Sequence, residues 1–194
     1  MKIFTAKSEL EQYEDTRYWR ALPQVVPSVV FKTRVYDNEA PIENPNPYKW
    51  KDVNTFDLFA GKKVLVFSLP GAFTPTCSTY QLPNFEKLAP DFYAKGFDEI
   101  YCVSVNDAFV MNKWAKENNL EYVRAIPDGN AQFTEGMNML VDKENLGFGR
   151  RSWRYACVVE NGKPTTWFIE EGKEDNCADD PYLYTNPEFI LASV

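Results

Sequence analysis

Residues 63–80 read KVLVFSLPGAFTPTCSTY, and this stretch decides the fold because it passes from a strand into a helix. Lys63 to Leu69 is a continuous apolar run of the length that a buried strand has. Pro70 to Pro75 form a loop, and beyond it apolar residues recur at spacings of three and four, which predicts an amphipathic helix. Cys77 is therefore expected in the first turn of a helix, and Pro83 is expected to kink that helix.

Short strands and helices alternate through the rest of the chain. A helical turn precedes the strand above, and two strand and helix pairs, a β-hairpin with an Asn-Gly turn and a closing helix follow it. In chain order they are Thr55 to Phe59, Ile100 to Val105, Asp107 to Glu117, Tyr122 to Ile126, Ala131 to Met137, Trp153 to Ile169 and a last helix capped by Asn186. This order predicts an α/β, thioredoxin-like fold with a mixed central β-sheet and helices on both faces.

The first 23 residues are expected to lie outside this fold. Residues 7–21 carry scattered apolar side chains among charges and stop before a proline, as a short amphipathic helix would. Residues 25–36 then alternate loosely, which indicates an edge strand or a hairpin, and residues 41–47 form a loop rich in proline and asparagine. We therefore divide the chain into an N-terminal helical extension, residues 1–23, and one domain, residues 24–194.

The composition is that of a globular protein with an acidic balance. The 194 residues are 44% hydrophobic and carry a formal net charge of -7. Such a chain offers no basic surface to nucleic acid or to an anionic membrane, apart from a local group of arginines at residues 150–154. It has no run of roughly 18 apolar residues that could cross a membrane, and no secretory segment follows Met1. We expect a cytoplasmic protein.

The cysteines and the absence of histidine narrow the chemistry. The chain has four cysteines, no Cys-x-x-Cys pair and no histidine. The missing histidine excludes Ser-His-Asp and Cys-His pairs and removes the commonest transition-metal ligand. The separations between cysteines match no zinc site, so we predict neither a metal nor a cofactor. Any nucleophile here must be activated without an imidazole.

Cys77 has two interpretations from its position alone. Free amide N–H groups and the positive end of the helix dipole would stabilise its thiolate. Thr74 could both donate a hydrogen bond to a bound substrate and accept one from it, and Pro70 could shield the sulfur from water. However, most free cysteines are buried side chains without reactivity, and Thr74 would equally serve as a helix cap. Position alone leaves both interpretations open.

The motif around Cys77 resembles the active site of one protein family. The pattern Pro70-x-x-x-Thr74-x-x-Cys77 is similar to the active-site motif of peroxiredoxins, and of the peroxiredoxin-5 type in particular. Three later segments resemble the same type in order and spacing: residues 104–110, 127–130 and 147–155. The resemblance covers roughly residues 24–194 and extends to the peroxiredoxin part of peroxiredoxin–glutaredoxin hybrids, without the glutaredoxin domain. One departure is Gln81, where close relatives carry a histidine.

The resemblance implies a role for each site residue. Cys77 would attack a hydroperoxide, while Thr74 and Arg154 would hold the peroxide beside the sulfur. Arg154 is assigned by the family's Arg-x-x-Arg pattern, which leaves Arg150 and Arg151 in secondary roles. A guanidinium suits this position because it stays charged and presents several fixed donors to sulfur and oxygen.

Oxidised Cys77 would need a second thiol to return it to the reduced form. Cys102 and Cys157 lie in apolar runs typical of buried strands, so we expect them to be core thiols. Cys177 lies in the acidic stretch of residues 170–180, which should be an exposed loop, and it could resolve the sulfenic acid. The flanking residues 178–182 resemble the single-cysteine, glutathione-using branch, so the identity of the resolving thiol stays open. Glutathione with glutaredoxin, or thioredoxin, is the expected reductant.

Three functions remain to be compared. A thiol peroxidase acting on hydrogen peroxide and alkyl hydroperoxides agrees with the motif around Cys77. A thioredoxin-like disulfide exchanger would need a second cysteine where the chain has Tyr80. A peroxide sensor or redox-regulated binding protein would keep the site without efficient turnover. The resemblance favours the peroxidase and implies a homodimer.

Overall fold

A computed structural model of the protein describes residues 22–194. Their elements are, in chain order, β1 (Val30–Tyr36), β2 (Tyr48–Asn54), α1 (Thr55–Phe59), β3 (Lys63–Ser68), α2 (Leu82–Ala94), β4 (Glu99–Ser104), α3 (Ala108–Glu117), β5 (Val123–Pro127), α4 (Gln132–Gly136), β6 (Leu140–Asp142), β7 (Arg150–Ser152), β8 (Tyr155–Glu160), β9 (Lys163–Ile169) and α5 (Pro187–Ser193). A π-helical turn, Cys77–Gln81, leads into α2, and a 3₁₀ turn, Glu144–Leu146, lies between β6 and β7. The helix expected over residues 7–21 lies outside the described residues.

The central sheet has the strand order β5-β4-β3-β8-β9. The strands β3, β4 and β5 are parallel, whereas β8 pairs antiparallel with both β3 and β9. The hairpin from β8 to β9 turns at Asn161 and Gly162, whose φ angles are 47° and 77°. Asn-Gly turns favour this geometry because both residues tolerate positive φ. The predicted mixed sheet is confirmed, as is the Asn-Gly hairpin.

Each face of the central sheet carries an apolar core. Side chains alternate between the faces along a strand, so Phe67 and Val66 of β3 point to opposite sides. The core around Phe67 contains Cys77 and side chains from α2, α3 and α5, and we call this side the Cys77 face. The core on the opposite face contains Val66, Cys157 and side chains from α1 and α4. Helices therefore cover both faces, as predicted.

The kink expected at Pro83 stays a prediction, but the helix is irregular at this point. Pro83 is the second residue of α2 and follows helical backbone that begins at Pro75. The irregularity lies immediately before it, in the π-helical turn that begins at Cys77. The proline inside the helix is Pro90.

Three strands were not predicted. β2 pairs with β1 in a separate two-stranded sheet, but its side chains are almost all exposed and several are charged, so no alternation marks it. β6 and β7 pair with each other and have three residues each, which is too short for a periodic pattern. These short elements matter because β7 leads directly to Arg154.

Candidate active site

The loop after β3 brings Cys77 to the start of a helix. The helix begins at Pro75, so Cys77 lies in its first turn, as predicted. The carbonyl of Thr74 accepts the amide of Ser78 at 3.0 Å, and its hydroxyl donates to the carbonyl of Gly71 at 2.8 Å. With its proton committed to Gly71, the Thr74 oxygen keeps lone pairs that can accept from a peroxide O–H. Cys77 itself is fully buried, so its sulfur is shielded from bulk water.

The same loop is held from the neighbouring strand. The amide of Ala72 donates to Oδ1 of Asn106 at 2.9 Å, and that oxygen also accepts the hydroxyl of Ser104 at 2.7 Å. Gly71 packs so tightly that a Cβ added to it would lie 3.2 Å from Nη1 of Arg151. Arg151 donates to two backbone carbonyls there, and burial lowers its pKa. Arg151 therefore packs against the loop, and its hydrogen bonds go to the backbone carbonyls of Phe148 and Val105.

Arg154 supplies the positive charge beside Cys77. It is 1% exposed, and its Nη1 donates to Sγ of Cys77 at 3.3 Å. The same nitrogen donates to Oε1 of Gln81, and Nη2 donates to Oδ1 of Asp180. Burial alone would lower the pKa of Arg154, but the negative charges of Cys77 and Asp180 outweigh burial and raise that pKa. The guanidinium stays charged in a site from which water is excluded.

The structure thus brings together the residues that the motif singled out. Arg154 reaches the sulfur of Cys77 at the first turn of the helix, and the loop before that turn carries Thr74 and the buried Pro70. Arg150 points away, with an exposed side chain that pairs with Glu135 at 3.5 Å. Of the three arginines at 150–154, Arg154 is the one whose hydrogen bonds reach the sulfur. This geometry can bind a small oxidant between a thiolate and fixed donors.

Cys102 and Cys157 are buried core thiols, as predicted. Burial raises the pKa of the Cys102 thiol well above its usual range, and the charge of Cys77 raises it further. Burial also raises the pKa of Cys157, which lies on the opposite face of the sheet. Both thiols therefore stay protonated and are poor nucleophiles in the folded protein.

The expectation that Cys177 lies in an exposed loop is wrong. Its residue is 7% exposed, and its side chain belongs to the core on the opposite face from Cys77. The acidic stretch folds back onto β6: the amide of Asn176 donates to the carbonyl of Asp142 at 2.7 Å, and Nζ of Lys143 donates to the carbonyl of Cys177 at 3.0 Å. These bonds turn the acidic neighbours outward and the thiol inward. All four cysteines are unpaired.

Two acidic residues at this site were not predicted. Asp180 contacts Arg154, yet in the sequence it is one of several acids in a loop and no spacing distinguishes it. Glu170 looks equally ordinary, although it is 2% exposed and its Oε1 accepts the amides of Leu183, Tyr184 and Thr185. Its position at the end of the apolar run of β9 was the only available signal of burial. Gln81, in contrast, differs visibly from the family pattern in the sequence itself.

The described part of the chain has neither a cluster of metal-ligand residues nor a membrane-spanning helix. Within residues 22–194, no three Cys, Asp or Glu side chains come together as metal ligands would. No helix there has the length and apolar character needed to cross a membrane.

Comparison with known proteins gives consistent matches. Residues 38–183 match the Redoxin family model. A peroxiredoxin from Rhizobium etli is 59% identical over 166 residues, covering 86% of this chain and 92% of that protein. The hybrid peroxiredoxin hyPrx5 of Haemophilus influenzae is 50% identical over 166 residues, covering 86% of this chain and 63% of the hybrid. Reduced Prx3 from Vibrio vulnificus, solved in complex with hydrogen peroxide, is similar with a TM-score of 0.73 and 37% identity, covering 89% of this chain and 94% of that one.

Proposed function

This chain belongs to the peroxiredoxin family, of the peroxiredoxin-5 type, and from that membership we propose that it reduces hydrogen peroxide and alkyl hydroperoxides at Cys77. Its enzyme class is thiol peroxidase. The observation that carries the proposal is the buried contact of 3.3 Å between Nη1 of Arg154 and Sγ of Cys77. A similar protein has been solved with hydrogen peroxide bound, which supports this choice of substrate.

The site residues divide the first step between them. The Cys77 thiolate attacks the peroxide oxygen that carries the proton. A sulfur–oxygen bond forms and the oxygen–oxygen bond breaks, so the sulfur is oxidised by two electrons to a sulfenic acid. The other oxygen leaves as hydroxide or alkoxide and takes a proton from water. Thr74 accepts the peroxide O–H, and Arg154 donates to the oxygen on which negative charge develops.

An external thiol is proposed to regenerate the enzyme. Cys177 belongs to the core on the far side of the sheet from Cys77, and Cys102 and Cys157 are buried and protonated. A glutathione sulfur would attack the sulfenic sulfur, and the hydroxyl would leave as water to give a mixed disulfide. Glutaredoxin with a second glutathione, or thioredoxin, would then release Cys77 as a thiol.

Assembly and location are further parts of the proposal. Phe73, Tyr80 and Phe109 expose 49%, 57% and 53% of their surfaces near the site, and a homodimer would cover such apolar side chains. Analytical ultracentrifugation would detect the dimer.

The four unpaired thiols suit a reducing compartment, and we propose the cytoplasm. Fractionation of the source cells would test that location.

Stopped-flow fluorescence with hydrogen peroxide tests the proposed reaction. Trp114 is a built-in reporter, because its indole N–H donates to the hydroxyl of Ser78, next to Cys77, at 3.0 Å. We expect the reduced enzyme to react at least about 100-fold faster than free cysteine. One fixed hydrogen-bond donor to a developing negative charge changes a rate constant by about that factor or more. A rate equal to that of free cysteine would contradict the proposal. Repeated turnover with glutathione and glutaredoxin would distinguish a peroxidase from a peroxide sensor.

A further inference from the structure

One acid outside the motif contacts the Arg154 guanidinium. Nη1 serves both Sγ of Cys77 and Oε1 of Gln81, whereas Nη2 donates to Oδ1 of Asp180. Nε is buried and has no hydrogen-bond partner within residues 22–194. Among residues 22–194, Asp180 is thus the carboxylate that pairs with this guanidinium.

Asp180 lies on a segment that is held at both ends. We call residues 176–185 the C-terminal strap, which has no helix or strand of its own. At its start, Lys143 donates to the carbonyl of Cys177 at 3.0 Å. At its end, Oε1 of Glu170 accepts the amides of residues 183, 184 and 185 at 2.8 to 2.9 Å. Between these anchors, the strap places Asp180 against the guanidinium.

A second strap residue fixes the same group. The ring of Tyr182 lies 5.7 Å from Cζ of Arg154, which is within the range of a cation–π contact. The Asp180 side chain is 49% exposed while that of Arg154 is 1% exposed, so the pair joins a buried charge to the protein surface. Ion pairs that are fully exposed contribute little to stability. A buried guanidinium, in contrast, needs a charged partner that keeps it in one orientation.

We propose that Asp180 is a positioning residue of the peroxidase site, which the C-terminal strap presents to Arg154 so that Nη1 points at the reacting sulfur. A guanidinium is planar, so fixing Nη2 fixes the direction of Nη1 as well. The inference rests on the proposed peroxide chemistry at Cys77. Asp180 aligns Nη1 of Arg154 with the sulfur of Cys77, and Asp180 itself does not touch the peroxide.

The test compares two reactions of the same sulfur in Asp180→Asn. Reaction with hydrogen peroxide requires donors aligned on the breaking oxygen–oxygen bond, whereas alkylation by iodoacetamide requires only an accessible thiolate. We expect the rate constant with hydrogen peroxide to fall at least about tenfold, because displacement of a catalytic group by 1 Å can cost on the order of 100-fold. The alkylation rate should fall by less than about threefold, since Arg154 keeps its charge.

Two variants serve as controls. Asp179→Asn removes one negative charge from the exposed neighbouring position and should leave both rates unchanged. Asp180→Glu keeps the carboxylate and should recover part of the peroxide rate. The proposal is overturned if Asp180→Asn reacts with peroxide as fast as the wild type, if Asp179→Asn loses as much, if both reactions slow equally, or if Asp180→Asn fails to fold. A wild-type protein that reacts with hydrogen peroxide no faster than free cysteine would instead refute the proposed peroxide chemistry.

Discussion

Two irregular segments meet at Arg154, and each carries a cysteine. In the active-site loop, residues 70–81, the sulfur of Cys77 faces the guanidinium at a helix start. In the C-terminal strap, the sulfur of Cys177 packs into the apolar core of the opposite face, and only its carbonyl has a charged partner, Lys143. Both thiols are buried, so exposure does not distinguish them. The groups that surround each sulfur determine which one can react.

The comparison is tested most strongly by removing each thiol in turn. We expect Cys77→Ser to lose all peroxidase turnover, because no other thiol has a donor array around it. Cys177→Ala should keep full turnover with glutathione and glutaredoxin, and alanine avoids burying a hydroxyl in an apolar core. A coupled assay of glutathione oxidation measures both. Loss of turnover in a folded Cys177→Ala protein, with a disulfide from Cys77 to Cys177 in the oxidised wild type, would make Cys177 the resolving thiol.

The next largest effect is expected at the residue where the two segments meet. Arg154→Lys keeps a positive charge but loses the planar fork that serves Cys77, Gln81 and Asp180 together. Loss of a fixed donor to a developing charge costs on the order of 100-fold to 1,000-fold in rate. Stopped-flow reaction with hydrogen peroxide should show a fall of that size.

The matched control is Arg150→Lys, at an arginine whose side chain is 60% exposed and lies away from the sulfur. It should react at the wild-type rate. Equal losses in the two variants would mean that net charge, and not the geometry of Arg154, drives the reaction.

The active-site loop could be predicted because its shape has local causes. The apolar run of β3, the prolines that follow it and Thr74 lie within 15 residues of Cys77 and give a strand, a turn and a helix start in sequence order. The Asn-Gly hairpin was predictable for the same reason. The π-helical turn was not, since no residue type marks it, and Pro83 indicated an irregularity in this helix without indicating its form.

The C-terminal strap could not be predicted because its shape has distant causes. Its acidic composition is typical of a solvated loop, and most of its acids are indeed exposed. The path of the backbone, however, is set by Lys143, Glu170 and the carbonyl of Asp142, which are separated from their partners along the chain. A pattern read along one segment holds no information about such contacts. Cys177 was misplaced, and Asp180 missed, for this reason.

The smallest expected change in activity, with a measurable change in stability, comes from releasing one anchor of the strap. Glu170→Ala leaves the amides of Leu183, Tyr184 and Thr185 without their acceptor. A buried hydrogen-bond donor that loses its acceptor costs about 1–3 kcal/mol. Water will satisfy some of these three amides, so the free energy of unfolding should fall by about 2–4 kcal/mol. Urea denaturation followed by tryptophan fluorescence measures the change.

The adjacent Glu171→Ala is the control for this anchor, because Glu171 is exposed and its carboxylate accepts the hydroxyl of Tyr184 at the long distance of 3.4 Å. Its free energy of unfolding should stay within about 0.5 kcal/mol of the wild type, as for most surface substitutions. The folded Glu170→Ala protein should also react with peroxide more slowly than the wild type, but faster than Arg154→Lys, because the guanidinium remains while its alignment by Asp180 is loosened. If Glu170→Ala lost stability without any change in the peroxide rate, the anchor at residues 183–185 would hold the chain together without holding Arg154 in place.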